Sequence, residues 1–150
     1  MDYGNSIWYP RFKGDAKAIE KVQKRATKMI YAMRNHSYTE RLKALNLPSL
    51  EYRRRRGDMI QTFKIVHGFE RIPRDAFFVQ AAGNTCTRGH SLKLSKPRCL
   101  TKVRQDVFSQ RVINDWNSLP EDVVTAKTVN SFKTRLDKVW ADQRFCSPYE

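Results

Sequence analysis

The chain has 150 residues, with 29 Lys and Arg against 15 Asp and Glu and a formal net charge of +14, which suits one modest domain facing a polyanion. No apolar run approaches the roughly 20 residues that a membrane helix requires, and the opening MDYGNSIWYP lacks the apolar stretch of a signal peptide. Cys86, Cys99 and Cys146 form an odd set at irregular spacing, which favours free thiols in a reducing compartment over a disulfide framework.

Near the N-terminus, Trp8, Tyr9 and Phe12 alternate with Arg11 and Lys13. That composition suits base stacking, although aromatics this dense more often pack a core. Asp15 is an expected N-cap for a first helix reaching about Arg34. Ile19, Val22, Ala26, Met29, Ile30 and Met33 follow helical spacing and are expected to face inward. Lys17, Lys21, Lys24 and Lys28 form a narrow stripe on the other side, where only Glu20 offers local compensation.

Ser37-Tyr38-Thr39-Glu40 is a capping box for a short second helix with Leu42 and Leu45 inward. Pro48 ends it, and Ser49 can cap a third helix over Leu50 to His67 that buries Tyr52, Met59, Phe63 and Val66. From Ile72 to about Val103 the helical period fades. Ser91-Leu92-Lys93-Leu94-Ser95-Lys96 alternates apolar and polar residues, predicting a short strand, hairpin or extended arm. Residues 76–105 contain no acid at all.

The closing block, Phe108 to Trp140, reads as helix, proline-punctuated turn, helix. Phe108, Val112, Ile113, Trp116 and Leu119 share one face; Val129, Phe132, Leu136, Val139 and Trp140 share another. Ser118 followed by Glu121, with Pro120 between, predicts a second capping box. Residues 1–104 hold 23 Lys and Arg against 8 Asp and Glu, whereas residues 105–150 hold 6 against 7. A polyanion-facing portion built onto a neutral packing portion is the simplest reading of that asymmetry. The expected fold is mainly α, with a three-helix front, a basic irregular middle and two closing amphipathic helices. Its segments are a basic helical bundle at 1–71, a basic extended or loop stretch at 72–103, and a neutral tail at 104–142 packing on the front. Together they make one compact unit, with a disordered end at 143–150.

For function, the residues expected to contact phosphates are Lys17, Lys21, Lys24, Lys28, Arg54, Arg88, Lys93, Lys96 and Arg98. A solvated basic face is the competing reading of the lysine stripe, and a task-free basic loop that of the acid-free segment. Of the run Arg53 to Arg56, Arg54 is expected to be the freest and Arg56 to be structural. Arg56-Gly57-Asp58 spells an integrin tripeptide, but it falls inside a predicted helix. Cys86, His90 and Cys99 lack the paired spacing of structural zinc sites, so no metal is expected. No phosphate-binding glycine loop, HExxH or GxSxG is present, so neither catalytic residues nor a small-molecule substrate are expected.

The string R-V-x-x-x-W-N-S-L-P-E-x-V-V at Arg111–Val124, followed by S-F-K-x-R-L-D at Ser131–Asp137, resembles the C-terminal end of reverse transcriptases of LINE-type, jockey-like non-LTR retrotransposons. Further pieces resemble the family in order: Tyr3 with Trp8 and Pro10; Ile19-Glu20-Lys21-Val22-Gln23-Lys24-Arg25-Ala26-Thr27-Lys28; Leu47-Pro48-Ser49-Leu50-Glu51-Tyr52-Arg53-Arg54; and Thr87-Arg88-Gly89-His90-Ser91-Leu92-Lys93-Leu94. The resemblance implies the thumb end and helical tail of a nuclease-polymerase, gripping template RNA or target DNA and packing on the upstream polymerase domain. Catalytic aspartates and their Mg²⁺ would belong to that upstream domain, so this chain by itself is expected not to polymerise. The start at Met1, at an interior position of the family pattern, is what a truncated copy, a gene-model fragment or a domesticated remnant would show. The alternatives are a helical protein-interaction remnant and a decayed element with no independent role.

Overall fold

The computed structural model describes residues 4, 6, 7, 9–81 and 89–147. Its seven α-helices are α1 (Lys13–Lys28), α2 (Tyr38–Ala44), α3 (Leu50–Val66), α4 (Lys102–Gln105), α5 (Phe108–Asn117), α6 (Glu121–Val124) and α7 (Val129–Val139). The chain is mainly α, as expected. It forms two compact units: residues 1–56 with 139–150, and residues 57–138. The divisions fall within α3 and at the end of α7, rather than at the expected boundaries near 71 and 103.

In the first unit, α1 begins at Lys13, earlier than expected, so that Asp15 lies in the first turn and complements the helix dipole rather than capping it. It also ends early, at Lys28, followed by a single 3₁₀ turn at Tyr31–Met33. Thr27 Oγ1 donates back to the Gln23 carbonyl (3.0 Å) near this end, a bonding mode that weakens a helix.

The face that α1 buries is polar. Ala16, Glu20 and Thr27 are buried and Gln23 is half-buried. The expected apolar face is instead largely open, with Val22 51%, Met29 85% and Ile30 42% exposed; Ala26 is exposed, and only Ile19 and Met33 are half-buried. Phe12 is 63% exposed, against its expected place in a core, and Trp8 lies outside the described residues. Hydrogen-bond partners select the buried stripe. The Tyr38 hydroxyl (2.6 Å) and the Leu50 amide (3.2 Å) both donate to Glu20 Oε1, and Gln23 Nε2 donates to the Pro48 carbonyl (3.0 Å). An apolar stripe offers nothing to those groups, and orphaning them in the interior would cost about 1–3 kcal/mol each.

Helix α2 carries the predicted capping box: the Glu40 amide donates to Ser37 Oγ (3.3 Å) and the Ser37 amide to Glu40 Oε2 (2.7 Å). Its C-terminus closes through Asn46, at φ +49, with the Leu47 amide reaching the Leu42 carbonyl (2.9 Å). Asparagine tolerates that left-handed position better than most residues. Ser49 caps α3 as expected, accepting from the Tyr52 amide (3.2 Å). The Ser49 amide donates to the Arg144 carbonyl (3.1 Å), and Arg55 donates to Gln143 Oε1 (3.1 Å). Residues 143–147 are therefore held in place, contrary to the disordered end expected there, and 148–150 lie outside the described residues. Trp140 is buried here, edge-on to Tyr52 with ring centroids 6.3 Å apart.

The second unit has an apolar core. Met59, Phe63 and Ile65 of α3 are buried together with Phe78, Leu94, Phe108, Val112, Ile113, Trp116, Leu119, Val123, Val124, Phe132 and Leu136. Phe63 stacks on Phe132 at 4.3 Å between centroids. On the predicted faces of the closing helices, Phe108, Val112, Ile113, Trp116, Leu119, Phe132, Leu136 and Trp140 are buried as expected, whereas Val129 is half-buried and Val139 is 44% exposed. Asp58 is buried and takes a bidentate bond from Arg111, at 3.0 Å to each carboxylate oxygen. The Arg-Gly-Asp tripeptide is thus part of a helix interior rather than a presented loop.

Candidate nucleic-acid interface

Among the described residues between α3 and α4, an extended arm is formed. Gln80 and Leu94 make one antiparallel bridge, flanked by Ser95 N–H to the Val79 carbonyl (2.7 Å) and Ala81 N–H to the Lys93 carbonyl (3.0 Å). What fixes the arm is the segment Trp116–Glu121. Trp116 Nε1 donates to the Leu92 carbonyl (2.8 Å), and the Asn117 amide brackets Leu94, accepting from its N–H (2.9 Å) and donating to its carbonyl (2.8 Å). His90 Nε2 donates to the Trp116 carbonyl (2.9 Å). The Glu121 carboxylate accepts from both the Ser91 hydroxyl and amide, each at 2.7 Å. These bonds from Ser91 hold the Glu121 carboxyl below the usual carboxylate range.

Glu121 therefore does not close the capping box expected with Ser118, whose hydroxyl donates to the Asp115 carbonyl instead (2.8 Å). Two strings that carry the family resemblance, Gly89–Leu94 and Trp116–Glu121, are partners of each other. Spacing alone could not reveal that pairing, because more than twenty residues separate them. Cys99 is a free thiol directed at Gln110 Oε1 (3.5 Å), and Cys86 lies outside the described residues. Among the described residues, no cluster of three metal-ligating side chains occurs.

The expected phosphate contacts sort into four groups. Lys21, Lys24 and Lys28 line one cleft in the first unit, of about 520 Å³, and Lys17 is exposed on the same helix beyond it. Lys93 is half-buried, and Lys96 and Arg98 are exposed, on the arm of the second unit. Arg88 lies outside the described residues. Arg54, expected to be the freest of its run, is only 3% exposed and is not a surface contact, whereas Arg53 and Arg56 are half-buried. On α3 its position falls on the covered side, which the run of four arginines concealed.

The cleft also gathers Arg25, His36 and Arg41, which the sequence reading missed. Arg25 was discoverable, lying four residues after Lys21 and three before Lys28 and hence on the same helical flank. Arg41 was not, because only the turn between α1 and α2 brings it there. Arg41 is 3% exposed. Its guanidinium donates to Thr27 Oγ1 (3.2 Å) and to the carbonyls of His36 (2.5 Å) and Lys24 (3.4 Å). All of these acceptors are neutral, and among the described residues no carboxylate pairs with Arg41. A buried cation without a counter-charge is costly, and this one borders an open basic cleft.

Beneath it, the Tyr38 ring lies 5.7 Å from both Lys24 Nζ and Arg41 Cζ. Burial, followed by the hydrogen bond and charge of Glu20, pushes the Tyr38 hydroxyl far above its ordinary pKa, so it stays neutral. None of Lys21, Arg25 and Lys28 forms an ion pair among the described residues.

No protein-family model, no curated protein and no solved structure matches this chain. No helix among the described residues is long and apolar enough to cross a membrane.

Proposed function

We propose that this chain is a non-catalytic remnant of a retrotransposon reverse transcriptase that binds RNA or DNA through the sugar-phosphate backbone, with the α1–α2 cleft as its principal grip. The observation that carries the reading is Arg41, a buried guanidinium bonded only to neutral oxygens, beside a cleft ringed by Lys21, Lys24, Arg25 and Lys28. A phosphate oxygen would supply the missing counter-charge, and each neutralised phosphate would release counterions. The ordered resemblance of several strings supports the lineage. The mutual hydrogen bonding of two of those strings agrees with their acting as a unit.

The test is RNA binding as a function of salt. Four or so phosphate contacts predict a log–log slope of roughly −3 for a single strand. Charge reversal at Lys21 and Lys28, both exposed, should weaken binding by at least about tenfold and leave the fold intact. A flat salt response, or no binding at low salt, removes the proposal. A second reading, a protein-interaction remnant, is favoured by the open apolar residues Val22 on α1 and Met29 and Ile30 just past its end. Self-association that disappears in Met29→Lys would support it.

A further inference from the structure

The chemistry of the cleft wall narrows what it can hold. We infer that the α1–α2 cleft takes one unstacked nucleotide of a single strand, with its base against the wall and its neighbouring phosphates on the cationic rim. The inference rests on the phosphate-binding reading above and adds to it a preference for single strands.

Three observations carry it. The first is shape: a recess of about 520 Å³ is of the size that holds small organic ligands. A duplex keeps its bases stacked behind the backbone and could touch only the rim, whereas a splayed base can enter. The second is wall composition. The wall is largely apolar, made of lysine and arginine stems with the buried Tyr38 at its base. A bare phosphate gains from donors on every side and little from aliphatic stems. The flat face of a base gains from both stems and a guanidinium plane, which Arg25 can supply from its exposed position.

The third is the arrangement of charge. Lys21 and Lys28 stand two helical turns apart, about 10 Å along α1, at the two ends of the stretch that lines the cleft. Arg41 lies between the helices, its guanidinium already fixed by three protein acceptors. The ligand therefore does not have to order the central cation, which limits the entropic cost of binding.

The intact chain is tested with four probes at one salt concentration: a short labelled single strand, the blunt duplex of the same sequence, inorganic phosphate, and a nucleoside monophosphate. The single strand should bind at least about tenfold more tightly than the duplex. The nucleoside monophosphate, unlike inorganic phosphate, should shift the Tyr38 ring resonances. Arg25→Lys keeps the charge but loses the plane. It should weaken the single strand several-fold more than it weakens the duplex. Equal affinity for both nucleic acids, or equal responses to phosphate and the nucleotide, overturns the inference and leaves the phosphate grip standing. Absence of binding to either nucleic acid at low salt overturns the parent reading as well.

Discussion

The two units of this protein are basic to a similar degree but bury different chemistry. Residues 1–56 with 139–150 hold 15 Lys and Arg against 7 Asp and Glu, and residues 57–138 hold 14 against 8. The second unit is organised around Phe63, Trp116 and Phe132, and holds the deep bidentate ion pair Arg111–Asp58. The first buries Glu20, Thr27 and Arg41 while leaving Val22, Met29 and Ile30 in the open. An apolar core gains stability from area and tolerates no vacancy. The first unit also buries Tyr38, Leu42, Leu50, Tyr52 and Trp140, but its polar groups Glu20, Thr27 and Arg41 are held by individual bonds, and among the described residues no carboxylate pairs with Arg41. Net charge alone would have ranked the units together; the state of the buried groups separates them.

Cutting into the apolar core should have the largest effect. Trp116→Ala should destabilise the protein by about 3–5 kcal/mol through cavity formation and loss of its bond to the Leu92 carbonyl, as measured by urea denaturation. Asp58→Ala removes the bidentate partner of the half-buried Arg111 and should cost about 3 kcal/mol, whereas Asp58→Leu combined with Arg111→Met should recover much of it. Failure of the pair to recover would mean that the bidentate geometry, not charge compensation, matters at that site.

In the first unit, Glu20→Ala should cost about 2 kcal/mol by orphaning the Tyr38 hydroxyl and the Leu50 amide. A loss as large as that of Trp116→Ala would erase the contrast between the units. Val22→Lys and Met29→Lys should change stability by only about 0.5 kcal/mol; a much larger loss would show that these exposed apolar residues are covered. The smallest effect is in the response to acid. Hydrogen bonds from Ser91 to Glu121, and from the Ser37 amide and hydroxyl region to Glu40, lower both carboxyl pKa values in the folded state. Each contribution is therefore fully present above the unfolded-state pKa and is lost as pH falls through the lower folded-state value. NMR titration should find both carboxyls below the ordinary glutamate range, and Ser91→Ala should return Glu121 toward it.

Local signals were legible wherever a few neighbouring residues decide the outcome. The Ser37–Glu40 capping box, the Ser49 cap of α3, the face of α5 and the Phe132–Leu136 positions of α7 could all be read directly. So could the stripe of Lys21, Lys24 and Lys28, because helical spacing alone puts these residues on one flank. The exchange of roles at Glu121, from cap to clamp on Ser91, depends on a residue thirty positions away.

By itself, then, the sequence determined that α1 has a cationic flank and an apolar flank, that the fold is helical, and that Ser37 and Ser49 cap α2 and α3. Periodicity and capping are properties of a few consecutive residues, so no tertiary contact is needed to establish them. Only the tertiary structure decided that α1 would bury neither flank but the polar stripe of Glu20, Gln23 and Thr27. The same folding brought Arg41 across from α2 to complete the cleft. Which stripe of a helix is covered depends on what the neighbouring chain must bond to. Here the groups to be satisfied were a tyrosine hydroxyl, a helix-start amide and a guanidinium, which a polar stripe satisfies and an apolar one cannot.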